Sequence, residues 1–156
     1  MNKLGNLATK IVKKLSEKNK TLSIAESCTG GFISSTITDV PGASKVFSGG
    51  VIVYATEMKK KILNINEEVF KYGVISLQMA EAMSNSIKHI TGSDYSIATT
   101  GNLGPDTMEG KPKGLIYIAV ATLKQNYTIE LNLDNDRLSN KKEATFKALK
   151  LLEKIL

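Results

Sequence analysis

The sequence predicts an α/β protein: a three-layer α/β/α sandwich with a mixed sheet containing a C-terminal hairpin. Two observations carry this. Apolar runs short enough for strands alternate with segments of helical period through the first 100 residues, and two longer β-rich runs then follow one another across a tight turn. Strand–helix alternation builds a parallel sheet with helices on its faces, and a hairpin at the end makes that sheet mixed. In order, Leu4, Leu7, Ile11 and Leu15 recur at helical spacing and predict an amphipathic helix over 3–19. Thr21 to Ala25 reads as a buried strand, and Gly30 to Thr38 as a helix ended by Asp39-Val40-Pro41-Gly42. Val51 to Tyr54 is a β-branched and aromatic second strand, followed by short helices near 56–63 and 66–71. Ser76 is a good N-cap for a longer helix that presents Ala80, Met83, Ile87 and Ile90 and closes at Thr91-Gly92. Tyr95 to Thr99 is the third strand. Leu115 to Leu123 and Tyr127 to Leu133 form the hairpin about Lys124-Gln125-Asn126, and Ala148, Leu151, Leu152 and Ile155 mark a final helix.

A chain of 156 residues is expected to form one domain, residues 1–156, with a sizeable core. Its composition, 42% hydrophobic and 23% charged, is that of a globular protein. No apolar run approaches the ~20 residues that span a bilayer and no signal-peptide core stands at the N-terminus, so no membrane partner and a cytoplasmic location are expected. With Cys28 and His89 alone of their kinds, neither an internal disulfide nor a Cys/His metal site is expected. The net charge of +6 comes from scattered lysines without interleaved aromatics or a reading motif, so nucleic acid is not expected as a partner. Arg137 is the single arginine, and its planar fork suits phosphate or carboxylate.

The chemistry concentrates at three loops that follow strands. Ala25-Glu26-Ser27-Cys28-Thr29-Gly30-Gly31 places hydroxyls and a thiol at a strand-to-helix turn. There, free backbone N–H groups and the positive end of a helix favour an anion or a developing oxyanion. Ala55-Thr56-Glu57-Met58-Lys59 follows the second strand, and Thr100-Gly101-Asn102-Leu103-Gly104-Pro105 the third. In α/β sheets, ligands bind outside the carboxyl ends of the strands, so these loops are expected to share one crevice. If Ser27 is a nucleophile, His89 is poorly placed to serve it. A lysine base needs a lowered pKa, which burial and neighbouring cations produce, and Lys60 and Lys61 flank Lys59. Tyr54 is available to relay a proton or donate to the amine. Cys28 has no histidine partner in view and reads as a small packing residue.

These residues also resemble a known family. Besides the Ser27 turn, Pro41-Gly42-Ala43-Ser44, Val53-Tyr54 with Lys59, Gly73-Val74-Ile75-Ser76, Thr99-Thr100-Gly101-x-x-Gly104-Pro105, Lys111-Pro112-x-Gly114 and Asp136-Arg137 occur in order. The set is similar to the C-terminal domain of the CinA (competence/damage-inducible) family, over about residues 5–156. The resemblance implies an α/β/α fold and a nicotinamide-nucleotide amidase in stand-alone form. Such an enzyme hydrolyses nicotinamide mononucleotide to nicotinic acid mononucleotide and ammonia without metal or other cofactor. It implies Ser27 as nucleophile with Lys59 and Tyr54 as its activating partners, and Ser44, Thr100 and Arg137 at substrate-binding positions. Thr29, Gly30, Gly31 and Gly101, beside them in the same loops, are expected to complete the substrate site. A homo-oligomer is expected. Three departures stand out: Asn102-Leu103 inside the Thr-Gly-x-x-Gly-Pro loop, Asp106 to Gly110 in place of a Gly-Gly pair, and Lys141 in place of a second arginine. The loop change supports an alternative, a weak or inactive nucleotide-binding or interaction module of the same fold.

Overall fold

A computed structural model describes residues 2–156. Five strands form one sheet in the order β2-β1-β3-β4-β5, where β1 is Leu22–Glu26, β2 Phe47–Ile52, β3 Tyr95–Gly101, β4 Leu115–Ala121 and β5 Asn126–Asn132. β1 runs parallel to β2 and β3, whereas β3–β4 and β4–β5 are antiparallel, so the sheet is mixed and ends in the expected hairpin. The helices are α1 (Lys3–Glu17), α2 (Phe32–Thr38), α3 (Thr56–Lys61), α4 (Leu77–Thr91) and α5 (Arg137–Ile155). Ala43–Lys45 and Glu67–Tyr72 are 3-10 turns, the second where a short α-helix was expected.

Two apolar clusters make this a three-layer sandwich. On one face, Leu7, Ile11 and Leu15 of α1, Ile33 and Ile37 of α2, and Ala148, Leu149 and Leu152 of α5 pack on Ile24, Ile97, Ile116 and Ile118. On the other, Met79, Met83 and Ile87 of α4 pack with Val53, Leu63 and Ile75 against Ala25, Ala98 and Leu115. Full burial of each such aliphatic side chain is worth about 1.5–3 kcal/mol, and this holds the sheet between its layers. Asn2, Ser76 and Asp136 cap α1, α4 and α5 by accepting hydrogen bonds from the backbone N–H groups of Gly5, Met79 and Ser139.

The second strand departs from the sequence reading. It starts at Phe47, earlier than expected, and Val53 and Tyr54 already belong to the exit, although the Val53 N–H still donates to the Glu26 carbonyl at 2.8 Å. Ser48-Gly49-Gly50 carries no β-propensity signal, yet a Cβ on Gly50 would lie 2.7 Å from the Ile24 carbonyl oxygen. The glycine is there because the neighbouring backbone needs its space. A register shift between Leu22 and Ser23 accommodates the extra residue.

Topology decides what meets at one end of the sheet. β1, β2 and β3 all end there, β4 begins there, and β5, running parallel to β3, delivers the start of α5 to the same edge. The turn at Ser27, the exit through Tyr54 into α3, the loop after Gly101, and Arg137 are thereby brought together.

Candidate active site

Ser27 follows the last residue of β1, and its N–H donates to the Thr99 carbonyl at 3.1 Å, which fixes it to β3. Lys59 lies on α3 with its side chain turned back beneath the turn and only 1% exposed. Its Nζ stands 3.1 Å from Ser27 Oγ, 2.8 Å from the Val53 carbonyl and 3.2 Å from the Tyr54 carbonyl. A neutral amine has two N–H donors and one lone pair. In the neutral form, donation to the two carbonyls leaves the lone pair facing the serine hydroxyl, the arrangement a general base needs. Burial lowers the Lys59 pKa below the usual lysine value; the charges of Cys28 and Glu109 work in the opposite sense without overcoming it. Lys60 and Lys61 play no part, contrary to the expectation that neighbouring cations lower the value. Lys60 pairs with Glu67 at 2.9 Å and lies over the Phe70 ring, and Lys61 is exposed.

Beside this pair is a cavity of about 200 Å³, lined among others by Ser27, Tyr54, Gly101 and Arg137, so four of the expected site residues share one space. Gly101 is required at its floor, since a Cβ there would lie 2.6 Å from the Leu115 carbonyl oxygen. The Tyr54 hydroxyl is not on the Ser27–Lys59 pair. It accepts from Arg137 Nη2 at 2.8 Å, while the tyrosine's backbone carbonyl holds the amine. Arg137 also donates through Nη1 to the Gly104 carbonyl at 2.8 Å, which braces it at the cavity mouth. Lys141, one turn further along α5, brings its Nζ within 3.7 Å of the place a Cβ on Gly30 would take, a second cation above the Ser27 turn.

The remaining expected residues are placed otherwise. The start of α2 is already filled by Glu26, whose fully buried carboxylate accepts from the N–H groups of Gly31 (3.1 Å), Ile33 (3.0 Å) and Ser34 (2.9 Å). It also takes the hydroxyls of Thr29 (2.6 Å) and Ser34 (2.8 Å). An internal anion thus neutralises the helix end, so Gly30-Gly31 offers no site for an oxyanion, and the Thr29 hydroxyl is turned inward. The Gly30 N–H donates to the Ser27 carbonyl. Thr100 is 1% exposed and gives its hydroxyl to the Val74 carbonyl at 2.5 Å, tying a loop to β3. Ser44 is exposed ahead of β2, at the opposite end of the sheet from Ser27; a six-residue strand spans about 20 Å. His89 is exposed late in α4.

Sequence reasoning assigned no role to Glu26, although an acid immediately before a Ser-Cys-Thr-Gly-Gly turn is a recognisable way to fill a helix N-terminus. Asp106, Thr107 and Met108, noted in the sequence as a departure but given no place in the site, form one wall of the cavity. Asn102 and Leu103 are structural. The Asn102 side chain accepts from the Met108 N–H and donates to the Met108 and Lys111 carbonyls, closing the loop, while Leu103 is buried in the larger core. Burial pushes the Cys28 thiol up to about 12, so it stays protonated and packs in that core, as expected of a structural cysteine.

Residues 4–156 match the CinA C-terminal domain family. The chain belongs to the CinA family. A CinA-like protein of Thermotoga neapolitana is 40% identical over 149 residues and one of Dictyoglomus turgidum 44% over 147, covering 94% and 92% of this chain. The CinA domain described here spans 36% of the length of either relative. Among solved structures, the CinA superfamily protein of Escherichia coli superposes with a TM-score of 0.95 at 29% identity, covering 98% of this chain and 90% of that one. The competence/damage inducible protein CihA of Agrobacterium tumefaciens gives 0.93 at 27%, covering 97% and 94%. The CinA α/β fold with helices on both sides of a mixed five-stranded sheet is shared with these structures. No described helix is long and apolar enough to cross a membrane.

Proposed function

We propose that this CinA domain is an amidase that hydrolyses the carboxamide of nicotinamide mononucleotide to nicotinic acid mononucleotide and ammonia. The observation that carries the reading is the buried Lys59 amine, its pKa lowered, 3.1 Å from the Ser27 hydroxyl at the edge of a cavity. In this mechanism Lys59 takes the hydroxyl proton as Ser27 Oγ attacks the carboxamide carbon. The tetrahedral intermediate collapses, Lys59 returns the proton to the departing nitrogen, and ammonia leaves an acyl ester on Ser27. Water, deprotonated by the same amine, attacks that ester. The acid is released and the proton passes back to Ser27.

The oxyanion needs donors other than the start of α2. Among the described residues the N–H groups of Cys28 and Thr29 donate to no backbone carbonyl, and they adjoin the nucleophile, which suits them to that role. A cavity of about 200 Å³ suits the carboxamide-bearing ring and part of the ribose. The phosphate would then lie at the mouth near Arg137, whose guanidinium has donors to spare beyond its two contacts. The loop departure that supported an inactive module has a structural explanation in the Asn102 and Leu103 contacts.

Ammonia release from nicotinamide mononucleotide by the purified protein tests the proposal. Ser27→Ala should remove nearly all turnover, at least about a thousandfold, with the fold intact. Cys28→Ala should keep most of it. Turnover at the wild-type rate by Ser27→Ala, or loss confined to Cys28→Ala, would contradict the assignment.

A further inference from the structure

The cavity wall formed by Asp106, Thr107 and Met108 is cross-braced from both sides. Asn102 grips it at Met108. The Glu109 carboxylate accepts from the N–H groups of Val74 at 2.9 Å and Ile75 at 3.0 Å. Lys111 donates to Glu109 at 3.3 Å, to the Tyr72 carbonyl at 3.4 Å and to the Ile75 carbonyl. A side chain carried on so fixed a segment meets a ligand in a defined place.

Asp106 is the exception within this network. Its carboxylate makes no hydrogen bond or ion pair among the described residues, yet it lines the cavity that holds Ser27. Among the lining residues only Asp106 and Arg137 are charged, and they are of opposite sign. Such a pair of unlike charges complements a ligand that is itself a zwitterion. Nicotinamide mononucleotide has a cationic ring bearing its carboxamide and an anionic phosphate at its far end.

Resting on the amidase reading above, we propose that Asp106 is a specificity-determining residue that selects substrates whose amide-bearing ring is cationic, with Arg137 taking the anionic end. Ligands with the same carboxamide and sugar phosphate but a neutral ring, above all the 1,4-dihydro form, are disfavoured. A carboxylate several ångströms from the ring at an intermediate dielectric gives about tenfold discrimination.

Titration of nicotinamide mononucleotide and of its 1,4-dihydro form into the Ser27→Ala protein, which holds either ligand without consuming it, tests the proposal. The oxidised form should bind about tenfold more tightly. Adding Asp106→Asn should bring the ratio close to one, chiefly by weakening the oxidised form. Adding Asp39→Asn instead, an equal change of net charge at an exposed position beyond the far end of α2, should leave the ratio as it was. A ratio that survives Asp106→Asn, an equal loss for both ligands, or no binding of either overturns the role of Asp106. Ammonia release is scored separately on the wild type. An Asp106-dependent ratio without ammonia release removes the reaction and leaves the charge selection standing, whereas ammonia release with an Asp106-independent ratio does the reverse.

Discussion

Lys59 differs from the two lysines beside it in surroundings alone. All three are on α3, but successive positions on a helix point about 100° apart, so only one can reach beneath the Ser27 turn. Lys59→Met should therefore collapse the rate by about a hundredfold or more, because the serine hydroxyl then has no base. Lys60→Met and Lys61→Met should cost less than about threefold, consistent with exposed positions. Comparable losses at all three, measured as kcat/KM for ammonia release, would mean that the run acts through its collective charge. The family resemblance singled out Lys59, but its physical reason was hidden from the sequence. A Lys-Lys-Lys run reads as a solvated face, and no periodicity separates its one buried member. Tyr54 lines the cavity, but a sequence does not reveal that its carbonyl accepts from the Lys59 amine while its hydroxyl accepts from Arg137.

The start of α2 shows what element-scale reading sees and misses. Gly30-Gly31 after Ser-Cys-Thr announces a strand-to-helix turn, and the turn is there. The sequence could not say whether the exposed N–H groups await a ligand or are already taken. Glu26 takes them, with five hydrogen bonds to one fully buried carboxylate. Glu26→Ala leaves buried donors unpaired next to Ser27 and should destabilise the fold by about 2–4 kcal/mol. Glu26→Gln keeps the shape but turns an amide N–H₂ toward donors, at about 1–3 kcal/mol. Thermal unfolding should show drops of about 2–4 °C per kcal/mol for a protein of this size. Unchanged melting of both variants would mean that water readily replaces the carboxylate. Elements with strong periodicity, such as α1, α4 and the β4–β5 hairpin, were legible to within a few residues. The second strand was legible only at its end, because Gly50, which the close approach to the Ile24 carbonyl requires, and Gly49 beside it carry no strand signal.

For the molecule as a whole, fold class and sheet type could be read from element order, since alternation followed by a hairpin leaves few arrangements. The gathering of Ser27, Tyr54 and Gly101 was foreseeable, because each lies at or just after the end of one of three parallel strands, whereas Arg137 was brought to them only by the family resemblance. Residues assigned by motif alone fared differently: Thr29 and Thr100 turn their hydroxyls into the structure, and Ser44 lies at the opposite edge. Position along a strand decides which edge a residue reaches, and side-chain direction decides whether it faces the cavity. Central to the proposed chemistry is one pair, a buried amine whose pKa burial lowers and the hydroxyl it faces. The most direct measurement is kcat/KM for ammonia release from nicotinamide mononucleotide as a function of pH. Burial lowers the Lys59 pKa, so the productive neutral form grows as pH rises and is lost as pH falls through that lowered value. The rate should climb along a single limb whose midpoint lies below the ~10.4 of an ordinary lysine and then level off. A profile flat down to pH 5, a midpoint at the ordinary lysine value, or no release above that of Ser27→Ala would contradict it.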